Sequence, residues 1–179
     1  AHWRYKEGGR QEKGARDYDG KIAWLRQILD WKDEVPDAGE LARMLADLAS
    51  RGVDFLALEA SSHGIDQRRL DGVRLTAAGF TNLSQDHLDY HGTMQAYAQA
   101  KIRLFADLLP RGGVAVLNAD SGAYGAFAAA AAENGHSCFS VGQAGRDLRL
   151  ARREPVPEGQ ALDLDMDGRR FHIRLPLAG

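Results

Sequence analysis

The chain has 179 residues, of which 44% are apolar, and its 23 Lys and Arg against 25 Asp and Glu leave a formal net charge of −2. That length and apolar content suit one domain with a real core, and the near-neutral balance removes the electrostatic case for a nucleic-acid or anionic-membrane partner. Cys138 is the single cysteine, which excludes an internal disulfide; its apolar neighbours Phe139 and Val141 predict a buried, inert thiol of the kind common in a reducing cytoplasm.

No run of about 18 apolar residues is present, so no membrane span is expected. The first residues are charged and have no signal-peptide core, which fits a cytoplasmic protein. The sequence begins with Ala rather than Met, as a processed or truncated product would.

Residues 1–19 are dense in charge, and Ile22, Leu25, Ile28 and Leu29 then recur at helical spacing. Residues 1–35 therefore read as a charged arm with a short amphipathic helix, ahead of a domain over 36–179. After Pro36, Asp37 is placed to cap a helix, with Glu40 three residues on as in a capping box. Leu41, Met44, Leu45 and Leu48 form its apolar stripe, and Gly52 ends it. The apolar runs 53–58 and 75–80 predict strands buried on both faces.

Thr93 is placed to cap a helix running to Leu109, stopped by Pro110 and Gly112. A strand is predicted at 114–117, an alanine-rich helix from Ser121 to Asn134-Gly135, and a strand at 137–141. This alternation predicts a mostly parallel α/β sheet flanked by helices. From Leu148 the apolar period changes to two, with Asp167-Gly168 as a hairpin turn between 161–166 and 171–175. A small antiparallel extension at the C-terminal end is therefore expected.

Ligands gather at the carboxyl ends of strands in such sheets. Glu59 ends the run 53–58, and Asp86 and His87 follow the run 75–80. A carboxylate and an imidazole brought to one edge suit Mg²⁺, which takes few protein ligands. Lys101 shares the apolar face of its helix with Met94, Tyr97, Phe105 and Leu108. There it either loses water, which favours the neutral amine and its conversion by CO₂ to a carbamate, or snorkels its head to solvent. Ser61, in the run Ser61-Ser62-His63-Gly64, suits either a polar ligand or helix capping. Gln67-Arg68-Arg69 offers a guanidinium for phosphate or carboxylate. Asn118-Ala119-Asp120 reaches the same edge.

These residues stand in a familiar order: Leu58-Glu59-Ala60-Ser61-Ser62-His63-Gly64, then Asp86-His87-Leu88-Asp89-Tyr90-His91-Gly92, then Tyr97-Ala98-Gln99-Ala100-Lys101, then Leu117-Asn118-Ala119-Asp120. The chain from about Pro36 to Gly179 resembles the central domain of the Mur ligases, and among them the tripeptide-forming branch. The resemblance implies a P-loop-NTPase-like fold. It also implies ATP-dependent addition of a diamino acid to UDP-N-acetylmuramoyl-alanyl-glutamate, with Mg²⁺ as cofactor and ATP as co-substrate. It further implies that Glu59, His87 and carbamylated Lys101 hold metal, that His87 and Lys101 serve catalysis, and that Ser61, Gln67 and Arg69 hold the nucleotide-linked substrate.

The 179 residues contain no Gly-x-x-x-x-Gly-Lys-Ser/Thr loop to cradle the β- and γ-phosphates. Glu34-Val35 also stand where the family has two threonines. The chain is therefore expected to be one part of a larger ligase and inactive alone. Two rival readings are a metal-dependent hydrolase using His87, Asp89 and His91, and a non-catalytic binding module.

Overall fold

The computed structural model describes residues 37–84 and 88–176. The charged arm and short helix expected within 1–35 lie outside these residues, as do Asp86 and His87.

Six strands form one sheet in chain order: β1 (Ala77–Phe80), β2 (Val114–Asn118), β3 (Ser137–Gly142), β4 (Leu148–Val156), β5 (Gly159–Met166) and β6 (Arg169–Leu175). The pairs β1–β2, β2–β3 and β3–β4 are parallel, whereas β4–β5 and β5–β6 are antiparallel. The period-two segment thus extends the parallel sheet directly. Its last hairpin turns at Asp167 and Gly168, both left-handed with φ of 51° and 71°. A two-residue turn of that kind matches the right-handed twist of its strands.

Helix α1 (Ala38–Ser50) starts at Asp37, whose carboxylate accepts the Gly39 and Glu40 amides. Leu41 is buried, and Met44 and Leu45 pack against the core beside it. Helix α2 (Ser62–Asp66) is capped by Ser61, and the short α3 (Leu88–His91) precedes α4 (Met94–Arg103). Thr93 caps α4 by accepting the Ala96 amide. The helix expected to run on to Leu109 instead widens into a π turn, Leu104–Leu108. Helix α5 (Tyr124–Glu133) begins three residues after Ser121, whose hydroxyl accepts the Ala123 amide just before it.

Alternate strand residues Ala78 and Phe80, Ala115 and Leu117, and Ser140 are buried. They meet Phe105 of the π turn and Phe127 of α5. The Phe127 ring stacks on Phe80 at 3.7 Å between centroids and meets Phe105 edge-on at 5.6 Å.

Two expectations are corrected. Residues 53–58 do not form a sheet strand: only Phe55 makes a bridge, and it is 61% exposed. Leu58 and Ala60 pack on the core from one side of this segment, while Phe55, Ala57 and Glu59 on its other side are exposed. Among the described residues, its backbone therefore has no continuous ladder to join. Cys138 is exposed, not buried. Its strand β3 is followed by the extended β4 rather than by a covering helix, so neighbouring apolar residues do not seal it.

Candidate functional site

The site is built where α2, α3 and the middle of α4 meet. α2 is only five residues long and begins Ser62-His63-Gly64. The Ser61 hydroxyl accepts the Gly64 amide at 3.1 Å, so the capping role open to it is filled. Ser62 is 1% exposed, and its hydroxyl stands 3.0 Å from His91 Nε2. That bond ties the first turn of α2 to the end of α3.

A cluster of four rings fills the junction. His63 and Tyr90 have centroids 4.0 Å apart, and His91 lies 5.6 Å from His63 and 4.8 Å from Tyr90. His91 also meets Tyr97 of α4 at 5.3 Å. The Tyr90 hydroxyl donates to Asp66 Oδ2 at 2.9 Å and accepts from Gln67 Nε2 at 3.5 Å. Gln67 therefore sits at the end of α2, within reach of the Tyr90 ring.

Lys101 is half-buried, and its Nζ stands 5.2 Å from the centroid of the Tyr97 ring. Two positions on, the Arg103 guanidinium donates through Nη1 to the Ile65 carbonyl and through Nη2 to both Asp71 oxygens at 2.7 Å. It also pairs with Asp107 at 3.2 Å. This clamp fixes the Lys101-bearing helix against α2.

Arg69 is half-buried and faces the start of α1. The Asp37 carboxyl is held below the usual carboxylate range, chiefly by the Glu40 amide, with burial opposing. The Gly39 amide and the charges of Arg43 and Arg69 add to the lowering. Glu59 is exposed, and among the described residues its carboxylate makes no hydrogen bond or ion pair.

The strand ends are laced together at the same edge. Asn118 Nδ2 donates to the Thr81 carbonyl at 2.7 Å, which anchors the segment leaving β1. Asp120 accepts the Gln143 and Ala144 amides at 2.7 Å each. A Cβ at Gly142 would stand 2.5 Å from Asp120 Oδ2, so this approach needs glycine. Asn118 and Asp120 therefore bind the strand-end loops rather than the start of α5, which has no side-chain cap.

Of the residues singled out from sequence, Gln67 lies beside Tyr90 and Lys101 beside Tyr97, within one connected cluster. Ser61 caps the helix at its rim, and Glu59 lies two residues before that cap. His87 lies outside the described residues. Among the described residues no group of three or more His, Cys, Asp or Glu side chains could hold a metal ion. Glu59 offers hard oxygens of the kind Mg²⁺ takes, and Lys101 would offer them only if converted to a carbamate; Mg²⁺ needs few such ligands from protein. Of the nitrogens a hydrolase built on His87, Asp89 and His91 would need, His91 Nε2 is engaged by Ser62.

Sequence reasoning overlooked Asp66 and Arg103, which read as ordinary surface charges. The family resemblance assigned His91 no role, and the rival hydrolase reading made it a metal ligand, whereas that ring joins Ser62 to Tyr97.

A family model described as the Mur ligase middle domain matches residues 15–179. A UDP-N-acetylmuramoyl-L-alanyl-D-glutamate--2,6-diaminopimelate ligase of Caulobacter vibrioides is 62% identical over 144 residues, covering 80% of this chain and 30% of that protein. The ligase of the same name from Agrobacterium fabrum is 49% identical over 144 residues, covering 80% and 29%. A solved structure of a ligase with this name superposes with a TM-score of 0.72 at 35% identity, over 80% of this chain and 30% of the other. The chain spans about three-tenths of the length of these relatives. A match over so much of the chain, with the four motifs in order, shows that this chain belongs to the Mur ligase family.

Proposed function

We propose that the chain supplies the central part of an ATP-dependent amide ligase that joins 2,6-diaminopimelate to UDP-N-acetylmuramoyl-L-alanyl-D-glutamate. The observation that carries this reading is the 62% identity with the Caulobacter vibrioides ligase of that name. The convergence of α2, α3 and α4 around Lys101 supports it.

In this reading the glutamyl carboxylate attacks the γ-phosphorus of ATP, giving an acyl phosphate and ADP. The diamino acid's neutral amine then attacks the acyl carbon; the new C–N bond forms as phosphate leaves and the amine loses a proton. Glu59, His87 and the carbamate of Lys101 would hold Mg²⁺, which disperses phosphate charge when bound. Ser61, Gln67 and Arg69 would orient the nucleotide-linked dipeptide: Arg69 as the cation for an anionic group, Gln67 and Ser61 through hydrogen bonds. Asn118 and Asp120 hold the strand-end loops against which these groups are set. A cytoplasmic setting accords with nucleotide substrates, and no helix among the described residues is long and apolar enough to cross a membrane.

A segment exchange tests the proposal. The matched 144 residues of the Caulobacter vibrioides ligase are replaced by those of this chain. The hybrid is then assayed with ATP, Mg²⁺, the UDP-linked dipeptide and 2,6-diaminopimelate. Tripeptide product with release of ADP and phosphate is expected. A folded hybrid that binds ATP yet forms no amide would refute the reading. The 179 residues by themselves, lacking a P-loop sequence, are expected to give no turnover in the same assay.

A further inference from the structure

Helix α2 stops on a left-handed residue, Arg68, at φ 59°. The Arg68 amide closes on the Ile65 carbonyl at 3.1 Å, and the Arg69 amide closes on the Gly64 carbonyl at 2.9 Å. Such a pair of bonds often ends a helix, but the left-handed residue is usually glycine. A side chain there crowds the following carbonyl, and the conformation persists only where its surroundings hold it. Two side chains do so. Asp71 lies 3.6 Å from Arg68 Nη1 and accepts Arg103 Nη2 on both oxygens at 2.7 Å. Arg103 Nη1 donates to the Ile65 carbonyl, the same oxygen that the Arg68 amide uses. Asp107, four residues further along, takes Arg103 Nε at 3.2 Å. The guanidinium is thus fixed from its own element and presents its fork to the turn.

The turn carries Gln67 and Arg69 on either side of Arg68. Gln67 and Arg68 are exposed, whereas α4 buries Tyr97 and Ala100 and runs on into buried Leu104 and Phe105. Loosening the clamp therefore frees the turn before it moves α4. The Arg103 side chain is 19% exposed and that of Asp71 34%, so water screens this pair less than it would one on an open surface. We propose that Arg103 and Asp71 are positioning residues that hold the strained turn at 67–69, so that Gln67 and Arg69 meet the nucleotide-linked dipeptide together. The inference rests on the reading of Gln67 and Arg69 as substrate-holding residues, and deepens it by naming the pair that sets their spacing.

The test is the affinity of the exchanged hybrid for UDP-N-acetylmuramoyl-L-alanyl-D-glutamate, read by calorimetry, or by ligand-observed NMR where binding is weak. Arg103→Lys keeps the charge but loses the fork that reaches Ile65 and Asp71 at once. Asp71→Asn breaks the same pair from the other side, so the test does not depend on one variant folding. Each should raise the Kd by roughly three- to thirtyfold. In a background carrying both Gln67→Ala and Arg69→Ala, each should change the Kd by less than about twofold, because the groups they position are gone. A general structural role would instead weaken binding by the same factor in both backgrounds. Equal factors overturn the inference, as does a Kd that ignores Arg103→Lys and Asp71→Asn while Gln67→Ala and Arg69→Ala weaken binding; the reading of Gln67 and Arg69 then stands. A parent hybrid that binds no dipeptide, or whose Kd ignores Gln67→Ala and Arg69→Ala, overturns that reading and this inference with it.

Discussion

Ser62 and His91 show how a single hydroxyl organises the site. Ser62 is 1% exposed, and its hydroxyl is the described partner of the His91 Nε2 that it faces at 3.0 Å. Ser62→Ala should cost about 1 kcal/mol of stability, more if Nε2 is left dry, measured by urea unfolding. Asp165 makes a separate, pH-dependent contribution. Hydrogen bonds first from Arg170 and then from Arg149 hold its carboxyl down to about 2. A depressed carboxylate adds stability above its unfolded value near 4 and loses it as pH falls toward 2. The melting temperatures of the parent and Asp165→Asn should therefore differ at neutral pH and converge between pH 4 and pH 2. Local chemistry of this kind was partly legible in the sequence: Asp37, Thr93 and the Asp167-Gly168 turn do what their side chains dictate. Cys138 did not follow its neighbours, because burial depends on the layer above the strand and not on flanking residues.

At the level of elements, the end of α4 was the least legible. Phe105 shows why it changes form. In the π turn the Leu109 amide bonds back to the Leu104 carbonyl at 3.0 Å. The Phe105 carbonyl would next look to residue 110, but Pro110 has no N–H. His136, 8% exposed at the start of β3, fills the gap with Nε2 2.7 Å from that carbonyl. This contact fixes the proton on Nε2 and leaves Nδ1 buried with no described partner. His136→Ala should therefore cost about 2 kcal/mol, since it strands a buried carbonyl; denaturant unfolding would measure it. Sequence periodicity cannot announce such a turn, because the histidine that completes it lies 31 residues away. Residues 53–58 failed for a related reason: an apolar run describes what a segment can join, not whether a ladder stands beside it.

Across the whole molecule, the parallel pairing of β1 to β3 and the antiparallel pairing of β5 with β6 were readable from the apolar period, whereas the parallel pairing of β4 with β3 was not, because the switch at Leu148 placed that strand in the antiparallel extension. That the parallel and antiparallel parts form one continuous sheet was not readable either, because period says nothing about which edge a hairpin joins. The same unevenness appears in the packing. Phe127 is fully buried between Phe80 and Phe105, and Phe127→Ala should cost about 3–5 kcal/mol. Phe55 is 61% exposed, and Phe55→Ser should change stability by no more than about 0.5 kcal/mol. Of the site, the motif order and the helix face shared by Tyr97 and Lys101 were visible in the sequence; the bracing by Ser62, His91 and Arg103 was not, because it joins residues on three separate elements.

The central claim is that Lys101 acts through a group only a lysine amine can become. The most direct measurement is the ligation rate of the exchanged hybrid with Lys101→Arg, which keeps a long cationic side chain but cannot form the carbamate. The account predicts that kcat falls by about a hundredfold or more with the melting temperature unchanged; a rate within about threefold of the parent hybrid would contradict it.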